Sequence, residues 1–304
     1  MSTILIGVDA SERSEDAVAF ARQLAEASGA HLVIANAYPY SDFPSRTSHA
    51  SYREVLRDEA LEIVHDLRQR VEDLPATVKI VPNPSPAHAL HATAEAEDAC
   101  LLVVGSTHTG RVGRVLPGST GERLLHGAPC SVAVVPRDYR KDPAPLRRIG
   151  VAYDGTPEAR AAASAAAELA RGLSAELVVI GVADATEYGA PALMGGPNPG
   201  NLAADVDRHV QERLDALVAE LPADVTASTQ RLTGEPAELL ADHSRDVDLL
   251  VLGSRAYGPL RSVLVGGVSG RVMRAAHCPV IVVPRGIETP LEGLFDASTT
   301  AATG

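Results

Sequence analysis

The strongest constraint on how this chain folds is that it is written twice. Ile4 to Ala37 (ILIGVDASERSEDAVAFARQLAEASGAHLVIANA) lies over Ile149 to Val182 (IGVAYDGTPEARAAASAAAELARGLSAELVVIGV), with Asp9 over Asp154 at an offset of 145 residues. Leu101 to Arg137 lies over Leu249 to Arg285 at an offset of 148, with Gly105 over Gly253, Gly118 over Gly266, Cys130 over Cys278 and Pro136 over Pro284. An offset that drifts by three residues over the whole unit means duplication of an entire domain, not a short solenoid period. The 304-residue length agrees with two domains of ~150 residues each. The junction RDYRKDPAPLRR is charged and carries Pro143 and Pro145, so it reads as an exposed linker. The expected division is 1–140, 146–286 and a flexible tail over 287–304, which loses periodicity and ends in STTAATG.

Each copy alternates strands and helices. Ile4 to Val8 and Ile149 to Val151 are short apolar runs, each followed by an acid, a turn and an amphipathic helix. Ala17, Phe20, Ala21, Leu24 and Ala25 recur at helical spacing, and Thr156 with Pro157 supplies a cap and a first helical residue. Leu32 to Ala37 and Leu177 to Val182 are continuous apolar runs, as strands buried on both faces require. A longer helix, a polar strand, a short helix opened by Pro86 or Pro236, and a strand ending at Gly105 or Gly253 follow. A glycine-bearing loop, a helix and the strands Val132 to Val135 and Val280 to Val283 complete the copies. The pattern predicts an α/β protein with two tandem doubly wound, Rossmann-like parallel sheets of five strands. Ligands of such sheets collect beyond the carboxyl ends of the strands where strand order reverses, so the loops after the first and fourth strands are the candidate sites.

Charge narrows the ligand. Thirty-nine acids against 27 bases give a net charge of −12. That excludes a general nucleic-acid binder, which needs a basic face, and an aromatic content of 3% with no Trp excludes base-stacking platforms. Three scattered cysteines, Cys100, Cys130 and Cys278, form no metal or redox pair and suit a reducing cytoplasm. The start, MSTILIGVDAS, has no basic segment ahead of a long apolar run, so no signal peptide is expected. No run approaches the ~18 apolar residues of a membrane span.

Gly105-Ser-Thr-His108 and Gly118-Ser119-Thr120 stand between a buried strand and a helix. Glycine permits close backbone approach, and a helix start presents free N–H groups and a positive dipole end, which together suit a phosphate. Asp9 and Asp154, each ending a first strand, are placed to accept from a ribose or to hold a metal ion. The plainer alternative is that the glycines are turn residues and that Ser119, Asp9 and Asp154 are caps. Both alternatives stand on the residues alone.

Acid, glycine loop and final strand recur in the same order in both copies, and in this both resemble universal stress protein domains in tandem form, over Ser2 to Arg285. The resemblance implies a five-stranded doubly wound sheet per copy, ATP bound in many members, dimers formed largely through the last strand, and cytoplasmic stress or dormancy physiology. The family's phosphate-wrapping motif is a glycine, two residues, a glycine, nine residues, then glycine with serine or threonine. In the first copy it maps onto Gly105, Gly118 and Ser119, followed by Thr120, with His108 at the second glycine. In the second copy it maps onto Gly253 and Gly266, with Ala256 at the second glycine and Gly267 at the hydroxyl position, followed by Val268 and Ser269. Asp9 and Asp154 match the acid that contacts nucleotide, and Ala37 and Val182 stand where the backbone would meet adenine.

The resemblance implies an ATP-binding regulatory protein, with or without magnesium, that acts as a homodimer or as an intramolecular pseudo-dimer. Two alternatives compete: a nucleotide-free scaffold acting through its last strands, and an adenylating or ATP-hydrolysing enzyme. The second is disfavoured because the first-strand loops read DASERS and DGTPEA, not Ser-Gly-Gly-rich, and because no Walker lysine is present. The protein is therefore expected not to be an enzyme beyond slow hydrolysis. His88 and His91 lack a third metal ligand, Cys130 and Cys278 read as small buried hydrophobes, and Gly189 to Gly200 reads as a mobile connection.

Overall fold

The computed structural model describes residues 2–40, 50–106, 119–125, 127–184, 199–254, 267–286, 291 and 293–295. His108, Gly118, Ala256 and Gly266, and nearly all of the Gly189 to Gly200 connection, lie outside the described residues.

The first half runs β1 (Thr3–Val8), α1 (Arg13–Ser28), β2 (His31–Tyr38), α2 (Ala50–Gln69), β3 (Ala76–Pro82), α3 (Pro86–Ala96), β4 (Ala99–Gly105), α4 (Ser119–Leu125) and β5 (Ser131–Val135). The second runs β6 (Arg148–Ala152), α5 (Pro157–Leu173), β7 (Glu176–Ala183), α6 (Pro199–Glu220), β8 (Ala227–Thr233), α7 (Pro236–His243), β9 (Leu249–Gly253), α8 (Val268–Ala275) and β10 (Val280–Val283). Local signals act as the sequence suggests. Thr156 caps α5 by accepting from the Ala159 N–H, with Pro157 at its first position, and Ser85 caps α3 ahead of Pro86.

Strand order is β3-β2-β1-β4-β5 in one half and β10-β9-β6-β7-β8 in the other. Each half is doubly wound, as expected, with order reversing between β1 and β4 and between β6 and β9. The two sheets are not separate. β5 and β10 pair antiparallel, Val132 opposite Val282, Ala133 opposite Ile281 and Val134 opposite Val280, giving one ten-stranded sheet. The cause is edge chemistry: an apolar last strand left at an edge would expose unpaired N–H and C=O groups, and pairing one such strand with the other satisfies both.

Two further expectations need correction. The junction is exposed over 141–145, as expected, but it is docked on either side of that stretch. Asp16 of α1 is fully buried, and its carboxylate accepts from the N–H groups of Asp138 and Arg140 (both 3.0 Å) and from the Arg140 guanidinium (3.1 Å). Tyr139 packs edge-on against Phe20 with ring centres 5.9 Å apart and donates to Gln23, and Leu146 is buried. The tail after 286 is not uniformly free either. Leu291, Leu294 and Phe295 are buried in the core that spans both halves, the Phe295 ring lies against Gly172, and Ser2 donates to the Leu294 carbonyl.

Candidate functional site

Register builds the site. β2 outruns β1: their pairing stops at Val8 opposite Asn36, while Ala37 and Tyr38 continue beside β3. β7 outruns β6 in the same way, the pairing stopping at Ala152 opposite Ile180. Backbone groups alternate sides along a strand. His31 bonds toward β1 and Leu32 toward β3, so Ala37 points toward β1. Ile180 accepts from Tyr153 and Ala183 accepts from Gly234, so Val182 points toward β6. Both residues therefore aim N–H and C=O past the end of the neighbouring central strand. Asn36, buried, closes the end of β1 by donating to the Val8 carbonyl at 2.9 Å.

In the second half a cleft of about 240 Å³ lies at this switch point. Its walls are the ends of β6, β7 and β9 and the starts of α5, α7 and α8, and they include Asp154, Val182, Gly253, Val268 and Ser269. Five residues singled out from sequence thus meet in one cavity. Residues 255–266, which join two of its walls in sequence, lie outside the described residues.

The glycines divide into two kinds. A Cβ on Gly105 would lie 2.2 Å from the Arg13 carbonyl oxygen, and one on Gly253 would lie 2.6 Å from that of Glu158. These glycines let the first turn of α1 or α5 rest on the strand end, a packing requirement that neither the ligand-approach nor the turn-residue reading of the sequence named. Gly267 differs. It is the exposed N-cap of α8, a Cβ there would meet nothing within 4 Å, and among the described residues no side chain caps the helix. Its free helix start suits an anion. The Ser269 hydroxyl is committed, donating to the Gly253 carbonyl at 2.8 Å. In the first half Ser119 and Thr120 open α4.

The two acids share a place and differ in partners. Asp9 Oδ1 accepts from the Ser11 N–H (3.0 Å), the Ser11 hydroxyl and the Ser14 hydroxyl (3.1 Å), and Oδ2 takes a two-pronged contact from Arg13, with Nε at 2.9 Å. Burial works against its ionisation, but the hydrogen bonds from Arg13 and Ser11 and the Arg13 charge outweigh that, holding the carboxyl below the usual range. Asp154 Oδ1 accepts from the N–H (3.0 Å) and hydroxyl (2.6 Å) of Thr156, and its carbonyl accepts from Arg213. Both acids also order the turn ahead of the helix, but neither is the cap expected from the plainer alternative: the N-cap of α1 is Glu12, that of α5 is Thr156, and Ser119 is itself the first residue of α4.

Arg271, missed by sequence reasoning, lines the cleft and pairs with Glu235 at 2.7 Å. With Asp154, Glu158, Asp184 and Glu235 the lining is rich in carboxylates, yet no three metal-ligating groups converge among the described residues. Cys130 and Cys278 are buried, and burial raises both thiols, Cys130 to about 12, so neither is a nucleophile. His91 lies 3.4 Å from Glu95.

A doubly wound sheet with a strand-end cleft and an acid on the first loop defines a Rossmann-like α/β protein. The chain belongs to the universal stress protein family, whose pattern it matches twice, over residues 1–136 and 145–284. A universal stress protein of Mycobacterium bovis is 31% identical over 194 residues, which is 62% of this chain, and the chain spans 65% of that relative's length. One from Mycolicibacterium smegmatis is 28% identical over 92% of this chain and 96% of its own, in keeping with a tandem form. The crystal structure of a universal stress protein from Archaeoglobus fulgidus shares the fold, with a TM-score of 0.71 at 21% identity over 93% of this chain and 98% of that one. Among the described residues no helix is long and apolar enough to cross a membrane.

Proposed function

We propose that the protein is a cytoplasmic regulatory protein that binds adenine nucleotide, ATP foremost, at the strand-end clefts of its two halves and reports nucleotide state rather than turning it over. The observation that carries this reading is the cleft itself: an edge of strand backbone at Val182, an acid at Asp154 and the open start of α8 surround one cavity. These suit a base, a ribose and a phosphate in turn. Phosphate charge is met by backbone N–H groups and the helix dipole, so the acidic net charge is no obstacle. Magnesium would come as the counter-ion of the triphosphate. The chain's lysines, Lys79 and Lys141, lie outside the loops after the first and fourth strands, which suits slow hydrolysis or none.

Mass spectrometry of gently purified protein should find co-purified adenine nucleotide, and calorimetry with magnesium-ATP should give up to two sites per chain. Neither nucleotide nor heat would leave the scaffold reading in its place. Because β5 and β10 satisfy each other, we also propose that the chain forms its last-strand dimer internally. Light scattering should then return a mass near 31.7 kDa, and a doubled mass would overturn that reading.

A further inference from the structure

We infer that the seam between the two halves is a recognition site for a short Leu-x-Gly-Leu-Phe turn, which the chain fills with its own tail as a releasable strap. The inference goes beyond the nucleotide reading and does not depend on it. The strap is a built turn. Leu294 donates its N–H to the Leu291 carbonyl at 3.0 Å, and Gly293 within that turn has a φ of +79°, in the left-handed region that favours glycine. Leu291, Leu294 and Phe295 are thereby buried in the core that both halves share. The contacts reach each half in turn. Ser2, just ahead of β1, donates its hydroxyl to the Leu294 carbonyl at 3.3 Å, while the Phe295 ring lies over Gly172 in the last turn of α5.

Gly172 marks a fitted socket. A Cβ there would lie 2.3 Å from two atoms of the Phe295 ring, so the ring requires the glycine. The duplication shows that the helix itself does not. The matching helix, α1, has Ala27 at this place and carries its glycine two residues later, as the C-cap Gly29 with a φ of +69°. In α5 the glycine stands inside the last turn, where it weakens a helix, and the C-cap is Ser174, held at a φ of +53° that glycine adopts more easily. Both differences cost helix stability, and the Phe295 ring accounts for the first. The strap can also leave. Among the described residues the Ser2 hydroxyl supplies the one hydrogen bond between strap and body. Side-chain burial does the rest, so the strap opens without unpairing the sheet, and the vacated socket takes a segment of the same chemistry from outside the chain.

The test uses the full chain. A protease that cuts after glutamate reads strap opening at Glu288 and Glu292, because cleavage of a rapidly reclosing segment follows its open population. Phe295→Ala should raise that cleavage about a hundredfold, and Gly293→Ala, which strains the turn at its left-handed residue, about three- to tenfold. Gly172→Ala should also release the strap. Combined with Phe295→Ala it should release nothing further and should raise the melting temperature above that of Phe295→Ala alone, since alanine suits the helix better once the ring is gone. A strap closed about a hundred to one at a roughly millimolar effective concentration corresponds to a Kd of about 10 µM for the same segment in trans. A labelled peptide of residues 287–298 should therefore bind the full chain carrying Leu294→Ala and Phe295→Ala, and should bind neither the wild type nor that variant with Gly172→Ala added. Thermal melts confirm that each variant is folded. Unchanged cleavage in Phe295→Ala and Gly293→Ala would overturn the inference, as would effects of Gly172→Ala and Phe295→Ala that simply add. A rise in cleavage with no saturable binding of the peptide would overturn it too. None of these readouts involves nucleotide, so the binding reading stands or falls separately.

Discussion

Gly105→Ala is expected to lose about 3 kcal/mol of folding stability, at the upper end of overpacking costs. The added methyl carbon would sit 2.2 Å from the Arg13 carbonyl oxygen and 2.8 Å from its carbonyl carbon. Both neighbours are backbone in the first turn of α1, so no rotamer change relieves the overlap; either the helix retreats from β4 or the strand end shifts. Gly253→Ala should behave alike against Glu158, at 2.6 Å. Gly267→Ser is the contrasting case. That N-cap is exposed, its φ of −84° is open to any residue, and space surrounds it. A serine there should be neutral or slightly stabilising as a cap. Urea denaturation of the three variants checks all of this. If Gly105→Ala kept wild-type stability and lost only ligand binding, the glycine would serve the ligand and not the packing of α1.

These glycines show what the sequence could and could not reveal. The repeat, the strands and the meeting of Asp154, Val182, Gly253, Val268 and Ser269 were legible because apolar runs of strand length and their terminal residues are local signals. Why Gly253 must be glycine was not legible, since the atom that forbids a side chain belongs to Glu158, far away in the chain. The joining of two sheets into one was hidden for a related reason. Val132 to Val134 and Val280 to Val282 are buried on both faces, and such a run looks the same whether its edge is paired within a copy or across copies. The tail did carry a signal. Leu291, Leu294 and Phe295 recur at helical spacing ahead of the polar end, and all three are buried. The Asp9–Arg13 pair was legible in one copy as opposite charges four residues apart, although its effect on Asp9 shows only with the turn that brings Ser11 to the same carboxylate.

Asp16→Ala is expected to cost a further large amount, about 3 kcal/mol, and to free the junction between the halves. On sequence an aspartate in the first turn of an amphipathic helix belongs to the solvated face, where it favours the dipole by less than ~1 kcal/mol. The structure places it at 0% exposure, and its two oxygens take the Asp138 and Arg140 N–H groups and the Arg140 guanidinium. Removing it orphans two backbone donors, each worth ~1–3 kcal/mol when left unpaired under burial, and deprives Arg140 of its most buried partner. Arg140 keeps Glu12 at 2.9 Å and Glu15 at 3.0 Å, but both are more exposed and add little, which holds the estimate at the lower end of a broken buried pair. Asp16→Asn should lose less, since an amide oxygen still accepts from one N–H. Ala161 stands at the matching place in the second half and has no side-chain acceptor, so this latch belongs to the first half alone. Urea midpoints measure the stability, and limited proteolysis over residues 137–146 reads the release of the junction. A loss below ~1 kcal/mol with an equally resistant junction would mean that Phe20, Tyr139 and Leu146 hold it by apolar packing and that Asp16 is incidental.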